Sequence, residues 1–574
     1  LSLRVFIAAL AASAASAFAA EPDILTPADE KRYRDVFMLQ EAGKMAEADK
    51  IIPSIENKVL FGYVLEQRYM HPTAYRSSYS ELSRWLSSYS DHPMAGPVYR
   101  LAAKRKPAGA WPQKPVSRRW RTSTDVELNP ALEADYDRLS SSEQREIARI
   151  EGRIRYLLAK DRPTQALAYL NDPRQFNRLT SRQTDRIRGW IAESYYVNGK
   201  LREARNLAEL AANRSGSSAV MAQWTAGIVA WREGDYAKAY RYHSAMADEP
   251  FQETSLRAAA AFWAARSALA TGRSDEALLY LDIAAAHPLT LYGQLALGQL
   301  GRGSGIDWST VKLSEGDLDR LLDKSPRLIR AAALAEIGRD EDAALEIRWA
   351  HGELPAADDA ALLAFAAELG SASAQVTIAE AMNLRETTDR ALWPALYPVP
   401  KDLKPNGGFT IDEAVLFGLI RQESKFMTDA KSRVGAAGLM QLMPRTASYI
   451  AGDRRLALSR YRASDRLYDP GYNMQLGQSY VTMLLTEYNG GTGDLFEMAL
   501  SYNWGPGNFR RWKARAGIED QLLMLESVPN KEARHFVDVV MTNIWLYRDR
   551  LGEDAPARNS VAAGQRPIYQ SVKR

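Results

Sequence analysis

Apolar residues recur at steps of three and four along most of this chain, the spacing of one face of an α-helix. After the first twenty residues the pattern also repeats. Gly43, Asp161, Gly199, Gly234, Gly272 and Gly338 sit at turns, each followed five positions later by an alanine: Ala48, Ala166, Ala204, Ala239, Ala277 and Ala343. A turn residue lets the chain reverse between two helices, and an alanine lets the second helix start close against the first. From Asp161 onward the turns lie 38, 35, 38 and 66 residues apart. Helical-hairpin repeats recur at about 34 residues, and the last interval is roughly two such periods. Trp190, Trp224 and Trp263 precede their glycines by nine or ten residues, where a bulky side chain would pack the first helix. Stacked hairpins of this kind build a superhelix.

Two segments interrupt the helical pattern. Between Arg100 and Arg121 there are eight basic residues, no acidic ones, and prolines at 107, 112 and 115. A solvated linker is the plainer reading, and a basic contact with an anionic wall polymer the sharper one. From Trp393 to Pro405, WPALYPVPKDLKP holds four prolines in thirteen residues, which cannot continue an α-helix and marks a domain boundary. The expected organisation is a signal peptide over 1–19, an α-superhelical domain with linker helices over 20–392, the boundary at 393–405, a second globular domain over 406–552, and a disordered tail over 553–574.

Beyond that boundary the periodicity carries a charge. Leu416, Leu419, Ile420, Phe426 and Met427 form an apolar stripe, and Glu423 falls on it. A carboxylate among apolar neighbours loses solvation, so its pKa should rise. A carboxyl that keeps its proton near neutral pH is what a glycosidic general acid requires. A lone Glu on such a stripe more often snorkels to solvent, so the neighbouring residues must decide.

Composition narrows the classes. The 574 residues exceed what one core needs, and 46% apolar with 25% charged residues is ordinary for a globular protein. A net charge of +4 fits an acidic polymer as partner without arguing for nucleic acid. The absence of cysteine excludes disulfides and iron–sulfur clusters, and six scattered histidines form no zinc-like cluster, so no metal or cofactor is expected. LSLRVFIAALAASAASAFAA carries Arg4, an apolar run and the small-x-small site Ala17-Phe18-Ala19. This reads as an export signal cut near Ala19, with no membrane span expected in the rest of the chain.

The decisive motifs lie between Pro405 and Arg550. Glu423-Ser424 is followed by Ser432, then Gly435-Ala436-Ala437-Gly438-Leu439-Met440-Gln441, then Met443-Pro444-Arg445-Thr446-Ala447. Further on come Ser501-Tyr502-Asn503-Trp504-Gly505-Pro506-Gly507 and Pro529-Asn530-Lys531-Glu532-Ala533-Arg534-His535-Phe536-Val537. This set resembles the catalytic domain of the soluble lytic transglycosylases, periplasmic enzymes with a goose-lysozyme-like fold. Their hallmarks are Glu-Ser, Gly-Leu-Met-Gln, Ala-Tyr-Asn with Ala-Gly-Pro-Gly after it, and Glu-Thr-x-x-Tyr-Val. The first two are intact here. Ser501 and Trp504 replace alanines, while Ala533 and Phe536 stand where the family has threonine and tyrosine, so Phe536 lacks the phenolic hydroxyl. His287-Pro288-Leu289-Thr290-Leu291-Tyr292-Gly293-Gln294-Leu295-Ala296 looks like a segment of the family's superhelical and linker domains.

The resemblance implies an all-α chain: a tetratricopeptide-like, ring-shaped superhelix followed by a lysozyme-like transglycosylase domain. It implies peptidoglycan glycan strands as substrate, a periplasmic location, and wall-synthesis proteins as candidate partners of the superhelix. By the same resemblance Glu423 is the acid that protonates the bond between N-acetylmuramic acid and N-acetylglucosamine. Ser432 lies near the acetamido group, and Ser424, Gly438, Leu439, Met440, Gln441, Met443, Tyr502, Asn503 and Phe536 are the substrate-binding set. Methionines 440 and 443 could equally be core, since methionine fills gaps well, and Tyr502 could be a packing residue. Two other readings stand beside this one. A hydrolytic muramidase would hold water on a second carboxylate, with Asp429, Asp465, Asp469, Glu487 and Asp494 available; a scaffold would bind glycan without cutting it.

Overall fold

A computed structural model describes residues 22–117, 121, 139–249, 253–384, 390–458 and 463–571. The segment 1–19 read as a signal peptide lies outside these residues, as do Arg118 and Arg119 of the basic run. Among the described residues every regular element is helical, and extended pairing is limited to three isolated bridges. The all-α expectation holds. No helix among them is long and apolar enough to cross a membrane.

The hairpin pattern becomes geometry at its turns. Gly43, Gly199, Gly234, Gly272 and Gly338 all have φ between +74 and +81°, and Asp161 takes +53°, the left-handed region that reverses a chain after a helix. The six alanines five positions later are each at most 2% exposed. Of the three tryptophans, Trp224 and Trp263 are buried, while Trp190 is half-buried under the Arg155 guanidinium, 4.6 Å from its ring.

The chain forms two compact units. Among the described residues the first holds 22–117, 121, 309–382 and 394–398, and the second 139–249, 253–308, 383–384, 390–393, 399–458 and 463–571. Expectation placed a single break in the proline-rich stretch; instead the hairpins before residue 308 share a unit with the C-terminal domain. In the first unit, Arg327 and Arg330 neutralise buried Glu346, which also accepts a 2.9 Å hydrogen bond from Tyr63. Three described members of the basic run have partners within the chain. Arg105 donates to the Ser77 hydroxyl at 2.7 Å, Lys106 lies 3.5 Å over the Trp111 ring, and Arg121 pairs with Asp359. In the proline-rich stretch Arg390–Leu396 is a short 3-10 helix, with Trp393 and Tyr397 buried.

In the second unit, helix Glu413–Glu423 is buried on all sides from Ala414 to Arg421, beyond the single stripe expected. It crosses helix Lys531–Arg550 at Gly418. A Cβ there would lie 2.7 Å from Ile544 Cγ1 and 3.0 Å from its backbone nitrogen, so glycine is what permits the close approach. The Asn543 side-chain amide donates to the Gly418 carbonyl at 3.1 Å and fixes the crossing.

The tail is a correction. Residues 553–571 are not a disordered end: Pro556–Ala562 is a helix, and Ile568 bridges to Asp494. Composition suggested disorder because the segment has few apolar residues and no period. Its order comes from backbone hydrogen bonds and ion pairs, which leave no periodic trace.

Candidate active site

Glu423 ends its helix. Leu416, Phe417, Leu419 and Ile420 before it are fully buried, so the core fixes the helix while its last residue emerges half-buried. Burial lifts the Glu423 carboxyl from the usual 4.5 to about 8, and repulsion from Glu532 adds to the rise. The partial negative charge at a helix C-terminus acts in the same direction. At neutral pH the group holds its proton.

The chain leaves this helix through two consecutive left-handed residues, Lys425 at φ +52° and Phe426 at +64°. Such backbone in non-glycine residues costs about 1–2 kcal/mol each and persists only where surroundings impose it. Here Phe426 is locked in the core, edge-on to Phe417 at 5.9 Å.

Residues 430–442 then double back beside the acid. Ser432 donates its backbone N–H to the Ala436 carbonyl and accepts the Ala436 N–H on its hydroxyl, both at 2.9 Å. An accepting hydroxyl still carries a hydrogen to donate. Gln441, at φ +44°, donates its side-chain amide to the carbonyls of Ala430 at 2.9 Å and Gly438 at 2.8 Å. Gly438 has φ +75°, and a Cβ on it would lie 2.1 Å from the Leu467 carbonyl oxygen and 2.4 Å from Asn473 Nδ2. Asn473 is fully buried and ties the turn together, accepting from Met440 N at 2.8 Å and donating to the carbonyls of Ala437 at 3.0 Å and Leu467 at 2.8 Å.

The far wall comes from helix Leu495–Trp504. The Tyr502 hydroxyl donates to the Met440 carbonyl at 2.7 Å, and its ring stacks parallel to Phe536 at 6.0 Å and meets the tilted ring of Tyr480 at 5.2 Å. Burial holds the Tyr502 phenol far above its usual range, with Glu423 and Tyr480 adding to the rise. Asn503 follows, half-buried, and Met443 is 39% exposed.

The expected site residues therefore divide. Glu423, Ser432, Gln441, Met443, Tyr502 and Asn503 keep partial exposure. Ser424, Leu439 and Met440 have buried side chains. The Ser424 hydroxyl donates to Ile420 O at 3.2 Å within its own helix, and Leu439 and Met440 are fully buried, the latter against Gly477. A motif read as text does not separate residues that touch a ligand from residues that hold the backbone which does. Phe536 is likewise buried and supports Tyr502 with its face. Glu532 and Asn473 were given no role by the sequence. Glu532 lies inside a motif already named, and Asn473 is one of three amides in helix Pro470–Thr486, with no local pattern to single it out from Gln475 and Gln478. Two proposed water-holding carboxylates serve as helix caps: Asp469 accepts from Tyr472 N at 2.6 Å, and Asp494 accepts from Phe496 N at 2.9 Å.

Comparison with known proteins bears on the same residues. Residues 404–524 match the family model described as the Transglycosylase SLT domain. The soluble lytic murein transglycosylase of Escherichia coli K12 is 32% identical over 160 residues, which is 28% of this chain and 24% of the relative. That of Salmonella typhimurium LT2 is 34% identical over 147 residues, 25% of this chain and 22% of the relative. The alignments thus span about a quarter of these curated relatives. The lytic transglycosylase Slt of Pseudomonas aeruginosa superposes with a TM-score of 0.55 at 18% identity, covering 92% of this chain and 87% of that one. The 70 kDa soluble lytic transglycosylase of Escherichia coli gives 0.51 at 19%, covering 92% and 97%. Residues 404–524 thus form a transglycosylase SLT domain, on a chain that shares the helical fold of the soluble lytic transglycosylases.

Proposed function

We propose that this chain is a lytic transglycosylase, cleaving the β-1,4 bond between N-acetylmuramic acid and N-acetylglucosamine in peptidoglycan without water. The observation that carries the reading is a single carboxyl, Glu423, kept protonated to about pH 8 at the edge of a turn rich in oriented polar groups. Glu423 gives its proton to the glycosidic oxygen as the bond to C1 breaks, and the sugar's own acetamido oxygen stabilises the positive charge left at C1. Glu423, now a carboxylate, takes the proton of the C6 hydroxyl. That oxygen closes on C1, giving a 1,6-anhydro end and restoring the acid. The intramolecular hydroxyl outcompetes water because it is held at high effective concentration. In this reading Ser432 orients the acetamido group, while Gln441, Met443, Tyr502 and Asn503 flank the sugars.

The substrate places the working protein in the periplasm, with wall-synthesis proteins as candidate partners. Incubation with purified sacculi followed by mass spectrometry tests the reaction. Products lighter by one water than hydrolysed muropeptides, lost on Glu423→Gln, are expected. Hydrated reducing ends would convert the reading to a hydrolytic muramidase, and unchanged sacculi would remove it.

A further inference from the structure

The residues after helix Lys531–Arg550 return across the domain to the two helices that flank the site. Helix Pro556–Ala562 lies on helix Leu291–Gln299, with Ala562 Cβ placed 3.3 Å from where a Cβ of Gly298 would be. The following residues form a strap. At one end it meets the start of the Tyr502 helix. Pro567 accepts the Leu495 N–H at 2.9 Å, Tyr569 N donates to the Gly493 carbonyl at 2.7 Å, and the Arg566 guanidinium spans Asp494 at 3.0 Å and Glu497 at 2.7 Å. At the other end it meets the start of the Glu423 helix. The Tyr569 hydroxyl accepts from Asp412 N at 3.2 Å, and the Ser571 hydroxyl donates to the Asp412 carboxylate at 3.0 Å. Arg548 closes the loop, donating to Asp412 at 2.5 Å and to the Gln570 carbonyl at 2.9 Å.

We propose that this strap is a positioning element for the reaction: by tying the first turns of the Glu423 and Tyr502 helices to each other, it sets the gap between their far ends, where the sugar is cut. Arg566 and Tyr569 are its positioning residues. Asp494 and Asp412 are the N-cap residues of the two helices, so the strap grips each helix where its axis is set. A rigid helix carries a displacement at one end to the other, and an acid misplaced by about 1 Å loses on the order of a hundredfold in rate. The assignment rests on Glu423 as the acid, and the test is chosen to separate the two.

The experiment uses the full chain with Arg566→Ala and Tyr569→Phe combined, with Tyr569→Phe alone should the pair not fold, and with Arg566→Lys as the conservative exchange. Turnover on isolated peptidoglycan strands and amide hydrogen exchange are measured together. Expected is a fall in kcat of about tenfold with KM held within about twofold, partial recovery in Arg566→Lys, and faster exchange at 420–428 and 500–505, the far ends of the helices. An unchanged kcat, or faster exchange confined to the strap's own contacts at 410–416 and 492–498, overturns the proposal. Should the unaltered chain not cut the strands, the reaction assigned above fails, and the exchange pattern alone decides the strap by the same criterion.

Discussion

Glu423 is costly to fold around. Its carboxyl rises from 4.5 to about 8, so between those values the folded state binds a proton that the unfolded chain has released. By linkage its stabilising contribution is fully present below about pH 4.5 and is lost as pH rises toward 8. Glu423→Gln removes the titration at nearly constant shape. Its thermal midpoint should exceed the parent's by a margin that grows from pH 5 to pH 8, while lytic activity falls by about 10²–10⁴-fold. A margin that shrinks with rising pH would mean the carboxyl is ionised in the fold. Glu532 contributes the second, smaller part of the shift. In Glu532→Gln the alkaline limb of the pH–rate profile should move to lower pH, with burial retaining most of the elevation. At this scale the sequence was legible where a residue violated its pattern: a charge stood where the apolar stripe called for a hydrophobe. It was illegible where two residues of one motif do opposite jobs. Gln441 is half-exposed and Met440 buried, one residue apart, because the turn at Gly438 points successive side chains to opposite sides.

Among the elements, the turn at 430–442 depends on glycines for different reasons. Gly438 combines φ +75° with backbone and Asn473 atoms inside 2.5 Å of any added Cβ. Gly435 has φ +92° and nothing within 4 Å. Gly435→Ala should therefore cost only the conformational penalty, about 1–2 kcal/mol, and leave activity within a few-fold. Gly438→Ala must also push the Leu467 backbone or Asn473 aside, breaking the bonds that hold Met440 and Ala437. Its expected loss is roughly 3 kcal/mol or more, combining the conformational penalty with an overpacking cost of about 1–3 kcal/mol, read as a lowered denaturation midpoint. Equal midpoints for the two variants would show that the Asn473 network is soft. The hairpin turns were fully legible from the sequence, since a left-handed residue and a buried alanine are each demanded by local geometry. The strap was not. Its order is set by Arg566 meeting Asp494 and Glu497, more than sixty residues away, a distance over which no local pattern extends.

Within the second unit as a whole, the hairpins and the SLT domain are joined by charge as well as packing. Arg266 lies over the rings of Trp231 and Trp263, at 4.4 and 4.6 Å, and reaches Asp520 at 2.7 Å. The Tyr292 hydroxyl donates to Glu526, which explains why the segment around His287 is readable as part of this architecture: its helix presents a phenol to the other domain. Glu193 carries the clearest consequence. Burial alone would raise its carboxyl, but Arg534 at 2.7 Å and Lys531 at 2.5 Å more than offset that and hold it below its usual value. A lowered pKa means stability present above about pH 4.5 and lost as pH falls through the folded value. Glu193→Gln should thus lower the thermal midpoint at pH 7, at a cost of about 1.5–3 kcal/mol for a hydrogen bond to a charged group, and the difference from the parent should close as the solution is acidified below pH 4. Arg534 and Lys531 open the helix that carries Phe536 behind Tyr502, so activity per folded molecule reports whether this seam also steadies the site. Retention within a few-fold is expected, because Gly418 and Asn543 fix that helix independently at its crossing with the Glu423 helix. A larger loss without a change in midpoint would place the hairpins in control of the acid's position.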